Sequence, residues 1–162
     1  MNKYLVGCLG VSFVVGISLL GAVAFFLLSE FPVLDASLSV PPEASLGATI
    51  TMVVTTTNTH TKAIKLDSID VGDTFLEGFR VLSVDPEPSD TMRVFGMRTW
   101  FFGERVEPGD SLDVRFALEA VMEGHFSGDV DVCNPTQDFT TLIADVVIRE
   151  EEGATAAEEQ GL

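Results

Sequence analysis

Apolar and polar residues alternate along much of this chain, and a two-residue period is what a strand with one buried and one wet face requires. Ala48, Ile50, Met52 and Val54 fall on one side of such a segment, with Thr49, Thr51 and Thr55 on the other. Leu112, Val114, Phe116 and Leu118 alternate with Asp113, Arg115, Ala117 and Glu119. Phe126, Gly128, Val130 and Val132 alternate with Ser127, Asp129, Asp131 and Cys133, and Leu142, Ala144, Val146 and Ile148 repeat the pattern. Residues 34–40, 63–71, 79–84 and 92–102 carry weaker versions of it. Turn chemistry separates these runs at Pro41-Pro42, Gly47, Gly72-Asp73, Pro86-Glu87-Pro88, Pro108-Gly109-Asp110, Glu123-Gly124 and Asn134-Pro135. No part of this region shows a helical period. About seven or eight short strands with regular punctuation predict an all-β, immunoglobulin-like antiparallel β-sandwich over residues 31–149.

The segment ahead of the strands has a different character. Residues 4–28 contain no charged side chain. At the helical rise they reach about 37 Å, enough to cross a hydrocarbon core of about 30 Å with some tilt. One transmembrane helix, within residues 1–30, is therefore expected to precede the sandwich. Lys3 on one side, against Glu30 and Asp35 on the other, orients the amino terminus to the cytoplasm and the domain to the periplasm or cell exterior. The alternative is a secretory signal, with Lys3 as a minimal basic start and a cut near Ala24 in Ala22-Val23-Ala24. Phe25-Phe26-Leu27-Leu28 prolongs the apolar run beyond that point, which favours an uncleaved signal-anchor. Cys8 precedes the apolar stretch instead of following it, so it does not read as a lipid-accepting cysteine. Ser12/Gly16 and Ser18/Ala22 are small residues at a spacing that lets a second helix approach closely.

Charge narrows the partners. The formal net charge is -16, from 25 acidic against 9 basic side chains. Such a surface repels phosphate backbones, which argues against nucleic acid. Residues 150–162 form an acidic run with almost nothing to bury, expected to be a disordered solubilising tail. Cysteine cannot staple the domain, because Cys8 lies in the apolar segment and Cys133 is alone outside it. Strand parity puts Cys133 on the outward side with Asp129 and Asp131, and a strand end shifted by a residue or two would instead bury it as a neutral thiol. An outward thiol in an oxidising compartment can bridge two chains, so homodimers through the helix or through Cys133 are open.

Over residues 40–148 the chain resembles the Ig-like modules of bacterial and archaeal surface proteins, of the type called cell-adhesion-related domain in bacteria. The resemblance lies in the Val40-Pro41-Pro42 opening and a first core strand running from Gly47 to Asn58. It continues in Val106-Glu107-Pro108-Gly109-Asp110-Ser111 leading into Val114 and Phe116, and in the glycine-led strand that starts Gly124-His125-Phe126. What it implies is a sandwich fold in an adhesion or scaffolding context. No functional residues carry over from it.

Candidate chemistry is sparse. Of the two histidines, His60 sits in a polar loop and His125 follows a turn. Neither belongs to a local signature such as G-x-S-x-G, so no enzyme activity is expected. Met122, His125 and Cys133 together have the ligand types that suit Cu(I), with Met92 and Met97 elsewhere in the chain. Asp129 and Asp131, or the group Asp67, Asp70 and Asp73, offer oxygens for Ca²⁺. Neither set has the spacing of a known motif, and no cofactor is expected. Residues 94–102 are the densest aromatic run, and alternation can bury Phe95, Met97 and Phe101, or Trp100 and Phe102, but not both sets. Phe95, Trp100, Phe101 and Phe102 are therefore the candidate interaction residues. The expected function is a non-catalytic, single-pass membrane-anchored module for protein interaction or structural support in the cell envelope. The alternative is an extracytoplasmic carrier of copper, calcium or another ligand.

Overall fold

The computed structural model describes residues 34–136 and 138–150. The chain divides into two units, Met1–Phe31 and Pro32–Leu162, and every described residue belongs to the second. The expected transmembrane helix and the tail beyond Glu150 lie outside the described residues. Within them, no helix is long and apolar enough to cross a membrane.

Among the described residues there are ten strands and one helical turn: β1 (Asp35–Ser39), β2 (Glu43–Ser45), β3 (Thr49–Thr57), β4 (Ile64–Gly72), α1 (Asp73–Leu76), β5 (Phe79–Asp85), β6 (Asp90–Val94), β7 (Met97–Val106), β8 (Ser111–Ala120), β9 (Gly124–Cys133) and β10 (Phe139–Arg149). They form a four-stranded sheet of order β1-β3-β8-β5 and a six-stranded sheet of order β2-β10-β9-β4-β7-β6. The all-β sandwich expected from the alternation is present. Its strand count exceeds the expected seven or eight for two local reasons. Residues 92–102 fold back on themselves as a hairpin instead of running as one strand, and β2 is an unforeseen three-residue segment that pairs parallel to β10. The other pairings are antiparallel.

Parity decides what enters the core. Ile50, Met52 and Val54 of β3 meet Val114, Phe116 and Leu118 of β8 and, from the opposite sheet, Leu66, Ile69, Val71, Val130, Val132, Val146 and Ile148. Trp100 stands edge-on to Phe116 with ring centroids 5.1 Å apart, joining the two sheets near their centre. Helix α1 plugs one end: Phe75 is fully buried, packs on Phe79 at 4.9 Å, and Phe79 in turn meets Phe126 at 6.3 Å. Gly78 allows this closure, since a Cβ there would lie 2.4 Å from the Phe126 ring.

The opposite end is tied by Asn58, which is fully buried at the end of β3. Its amide donates to the carbonyls of Lys62 and Val106, both at 2.8 Å, while its Oδ1 accepts the His60 N–H at 2.9 Å. Its backbone accepts from Gly109 N–H and donates to the Asp110 carbonyl. The asparagine and the Pro108-Gly109-Asp110 turn, far apart in sequence, are thus one device that holds β3 against the β7–β8 connection.

Candidate functional site

The outer face of the six-stranded sheet is where the chain's unusual residues gather. In β9 the buried set is Phe126, Val130 and Val132, so Ser127, Asp129, Asp131 and Cys133 fall on the outer side, with Cys133 half-buried there. Register then places Asp131 directly opposite Asp70 of β4, and Cys133 opposite Ser68. On the other side of β4, Asp70 is opposite Thr99 and Ser68 opposite Phe101 of β7. A bulge assists: Phe102 and Gly103, the latter at φ +74°, face the single Asp67, so Leu66 and Ile69 both turn inward. Asp67, Ser68 and Asp70 are left lining the outside.

The result is a groove of about 420 Å³. Its walls are Met92 and Val94 of β6, Phe95 at the hairpin tip, and Met97 and Phe101 of β7; its floor holds Asp70, Ser68 and Cys133. The hairpin turn is the two-residue pair Phe95-Gly96, at φ +51° and +80°, the combination of a type I′ turn. Left-handed backbone is uncommon for a bulky residue, and here it leaves Phe95 fully exposed. The hairpin is fastened to α1 by the Asp73 N–H, which donates to the Gly96 carbonyl at 2.8 Å, and by an Arg93–Asp73 ion pair at 2.9 Å.

The groove floor is electrostatically unfinished. Among the described residues, Asp70 Oδ1 is closed off from solvent and has no hydrogen-bond partner. Oδ2 accepts, among the same residues, only the weak thiol hydrogen of Cys133, at 3.7 Å. Asp131 Oδ1 accepts from the Thr141 hydroxyl at 2.6 Å. Among the described ion pairs none includes Asp70, Asp129 or Asp131. Like charges directly opposed across strands are destabilising, so the Asp70–Asp131 pair opposes folding. Burial pushes the Cys133 thiol up from 9.0 to about 11, with the Asp70 carboxylate and, less strongly, Asp131 adding to the rise while the Ser68 hydroxyl opposes it. At neutral pH this cysteine is a neutral, weakly nucleophilic thiol.

The sequence candidates separate cleanly. Trp100 and Phe102 are 2 % and 8 % exposed and belong to the core, so they offer no surface; Phe95 and Phe101 are on the outer side. Met122, His125 and Cys133 do not converge. His125 and Cys133 sit at opposite ends of β9, about 26 Å apart at the rise of a strand. His125 instead pairs with Asp145 at 3.0 Å. Asp73 is drawn to Arg93 on the far side of the hairpin, away from Asp67 and Asp70, while Asp129 and Asp131 stay on the sheet face. Among the described residues no group of three or more His, Cys, Asp or Glu side chains is placed to hold a metal ion. The meeting of Met92, Met97, Asp70 and Cys133 was not visible in the sequence, because four strands contribute them and only the register brings them together. Phe139 and Ile143 of β10, also missed, extend the exposed apolar surface beside Asp129 and Cys133.

No family model and no curated protein matches the chain. Solved structures do. A cohesin module from the family 33 glycoside hydrolase of Clostridium perfringens ATCC13124 is similar at 12 % identity and TM-score 0.54, covering 75 % of this chain and all of that one. AvmM, described as catalysing macrocyclization in alchivemycin A biosynthesis, is similar at 13 % identity and TM-score 0.51, covering 75 % of this chain and 92 % of that one. The resemblance read from residues 40–148 also appears: the CARDB domain of a Pyrococcus furiosus protein, solved with di-metal ions, matches at 13 % identity and TM-score 0.48 over 74 % of this chain and 90 % of that one. The cohesin module and AvmM show the β-sandwich fold that this chain shares, and at such identities they show the fold alone.

Proposed function

We propose that the chain is a non-catalytic interaction module, anchored by its first thirty residues and facing outward from the membrane, whose docking surface is the outer face of the six-stranded sheet. One observation carries this reading: that face combines large exposed apolar side chains, Phe95, Phe139, Ile143 and Met92, with the carboxylates of Asp70, Asp129 and Asp131, which take part in none of the described ion pairs, while Asp67 beside them is paired with Lys65. A sandwich closed for stability alone has no use for either feature, and exposed apolar clusters of this kind mark contact surfaces. The backbone strain at Phe95 supports the same view, because a cheaper turn residue would not present an aromatic ring to solvent.

The test is capture from native membranes in mild detergent with tagged full-length protein, read by mass spectrometry. A Phe95→Ser/Phe101→Ser variant and a chain starting at Glu30 are run beside it, with metal content measured on all three. The expected result is a partner captured by the wild type and lost by the double variant, with melting curves showing that both fold. No such partner, together with stoichiometric copper or calcium on the wild type and the shortened chain, would replace this reading with that of an extracytoplasmic carrier.

A further inference from the structure

Building on the docking role of this face, we infer that the partner presents a lysine or arginine flanked by apolar side chains, and that this cation seats against Asp70 on the floor of the outer groove. The walls are mostly apolar, with Asp67, Thr99 and Asn134 as further polar lining, so a segment that fills the groove excludes most water from it. Asp70 already has one oxygen dry and unpartnered and the other met only by a thiol. Covering it with a neutral apolar segment would complete the burial of an unpaired charge, among the least favourable events in association. An anionic segment would add repulsion from Asp70 and from Asp131 beside it. A cation reverses both effects, and it suits a chain of net charge -16 that draws basic partners from a distance.

Geometry selects how the segment lies. The free edge of β6 would accept an added strand, but that strand would be about 14 Å from β4, three strand spacings away. This exceeds the reach of a lysine stem. The segment therefore crosses the sheet face, with Phe95 and Phe101 gripping its apolar flanks.

The experiment pans phage-displayed random nonapeptides on the full-length protein in mild detergent, then measures the enriched peptides, made synthetically, by fluorescence anisotropy at low and high salt. The expected consensus is one lysine or arginine between apolar residues. Affinity should fall at least tenfold on Asp70→Asn, stay unchanged on Glu87→Gln, which removes a charge from an exposed turn outside the groove, and weaken as salt rises. Replacing the peptide's cation by norleucine should weaken binding to the wild type at least tenfold, a result independent of how any variant folds. A consensus without a cation, affinity indifferent to both Asp70→Asn and norleucine, or no enrichment would overturn the inference. Peptides that lose binding on Phe101→Ser but ignore Asp70→Asn would overturn the cation alone and leave the docking face standing.

Discussion

At the scale of single residues, the structure separates side chains that hold the fold from side chains that oppose it. Asn58 holds it. Replacing it by Leu leaves two carbonyls and one N–H without partners in a buried site, and stability should fall by about 2–4 kcal/mol in urea melts. Asp70 opposes it. Asp70→Asn removes a charge facing Asp131 across the strands, so the variant should be more stable by about 0.5–1 kcal/mol in the same measurement. Loss of binding with gain of stability is the signature of a residue kept for contact. Cys133 is kept neutral by burial and by nearby carboxylates, which act in the same direction. Raised from 9.0 to about 11, its thiolate fraction at pH 8 is about a hundredfold below that of an ordinary cysteine, and alkylation followed by peptide mapping should be slower to match. Below pH 9 the folded and unfolded chains both keep this proton. Between about 9 and 11 only the folded chain keeps it, so this thiol's contribution declines as pH rises through that window. Such a thiol is also a slow former of intermolecular disulfides.

At the scale of elements, the β6–β7 hairpin is the most informative piece. Strands β3, β8, β9 and β10 were legible in the sequence because each keeps a strict two-residue period and one face is apolar. Residues 92–102 read as one strand because Phe95 gives no turn signal; the usual type I′ pair is Asn-Gly, and here only the glycine is in place. Short β2 and the single turn of α1 were hidden for a related reason, since three or four residues between turn signals carry no measurable period. Phe95→Asn restores the preferred turn and should stabilise the domain by about 1 kcal/mol in thermal or denaturant melts. If Phe95 is displayed for contact, the same variant should lose partner capture. The domain would become more stable and less functional through one side chain.

At the scale of the whole molecule, sequence reasoning reached the sandwich but not the groove. The fold depends on which residues are apolar at spacing two, and that is written locally. The groove depends on register between β4, β6, β7 and β9, whose members are far apart in the chain and meet only after pairing. Hence Phe95 and Phe101 could be singled out as aromatic, and Asp131 and Cys133 as outward-facing, while their neighbourhood could not. Site-specific photocrosslinking in native membranes locates the docking face directly. Benzoylphenylalanine replaces Phe95 on the outer face in one full-length protein, and exposed Leu82 on the four-stranded sheet in another. The expected result is a discrete crosslinked protein from position 95 and none from position 82. Crosslinking from position 82 alone, or equal diffuse labelling from both, would contradict the assignment of the six-stranded sheet's outer face as the docking surface.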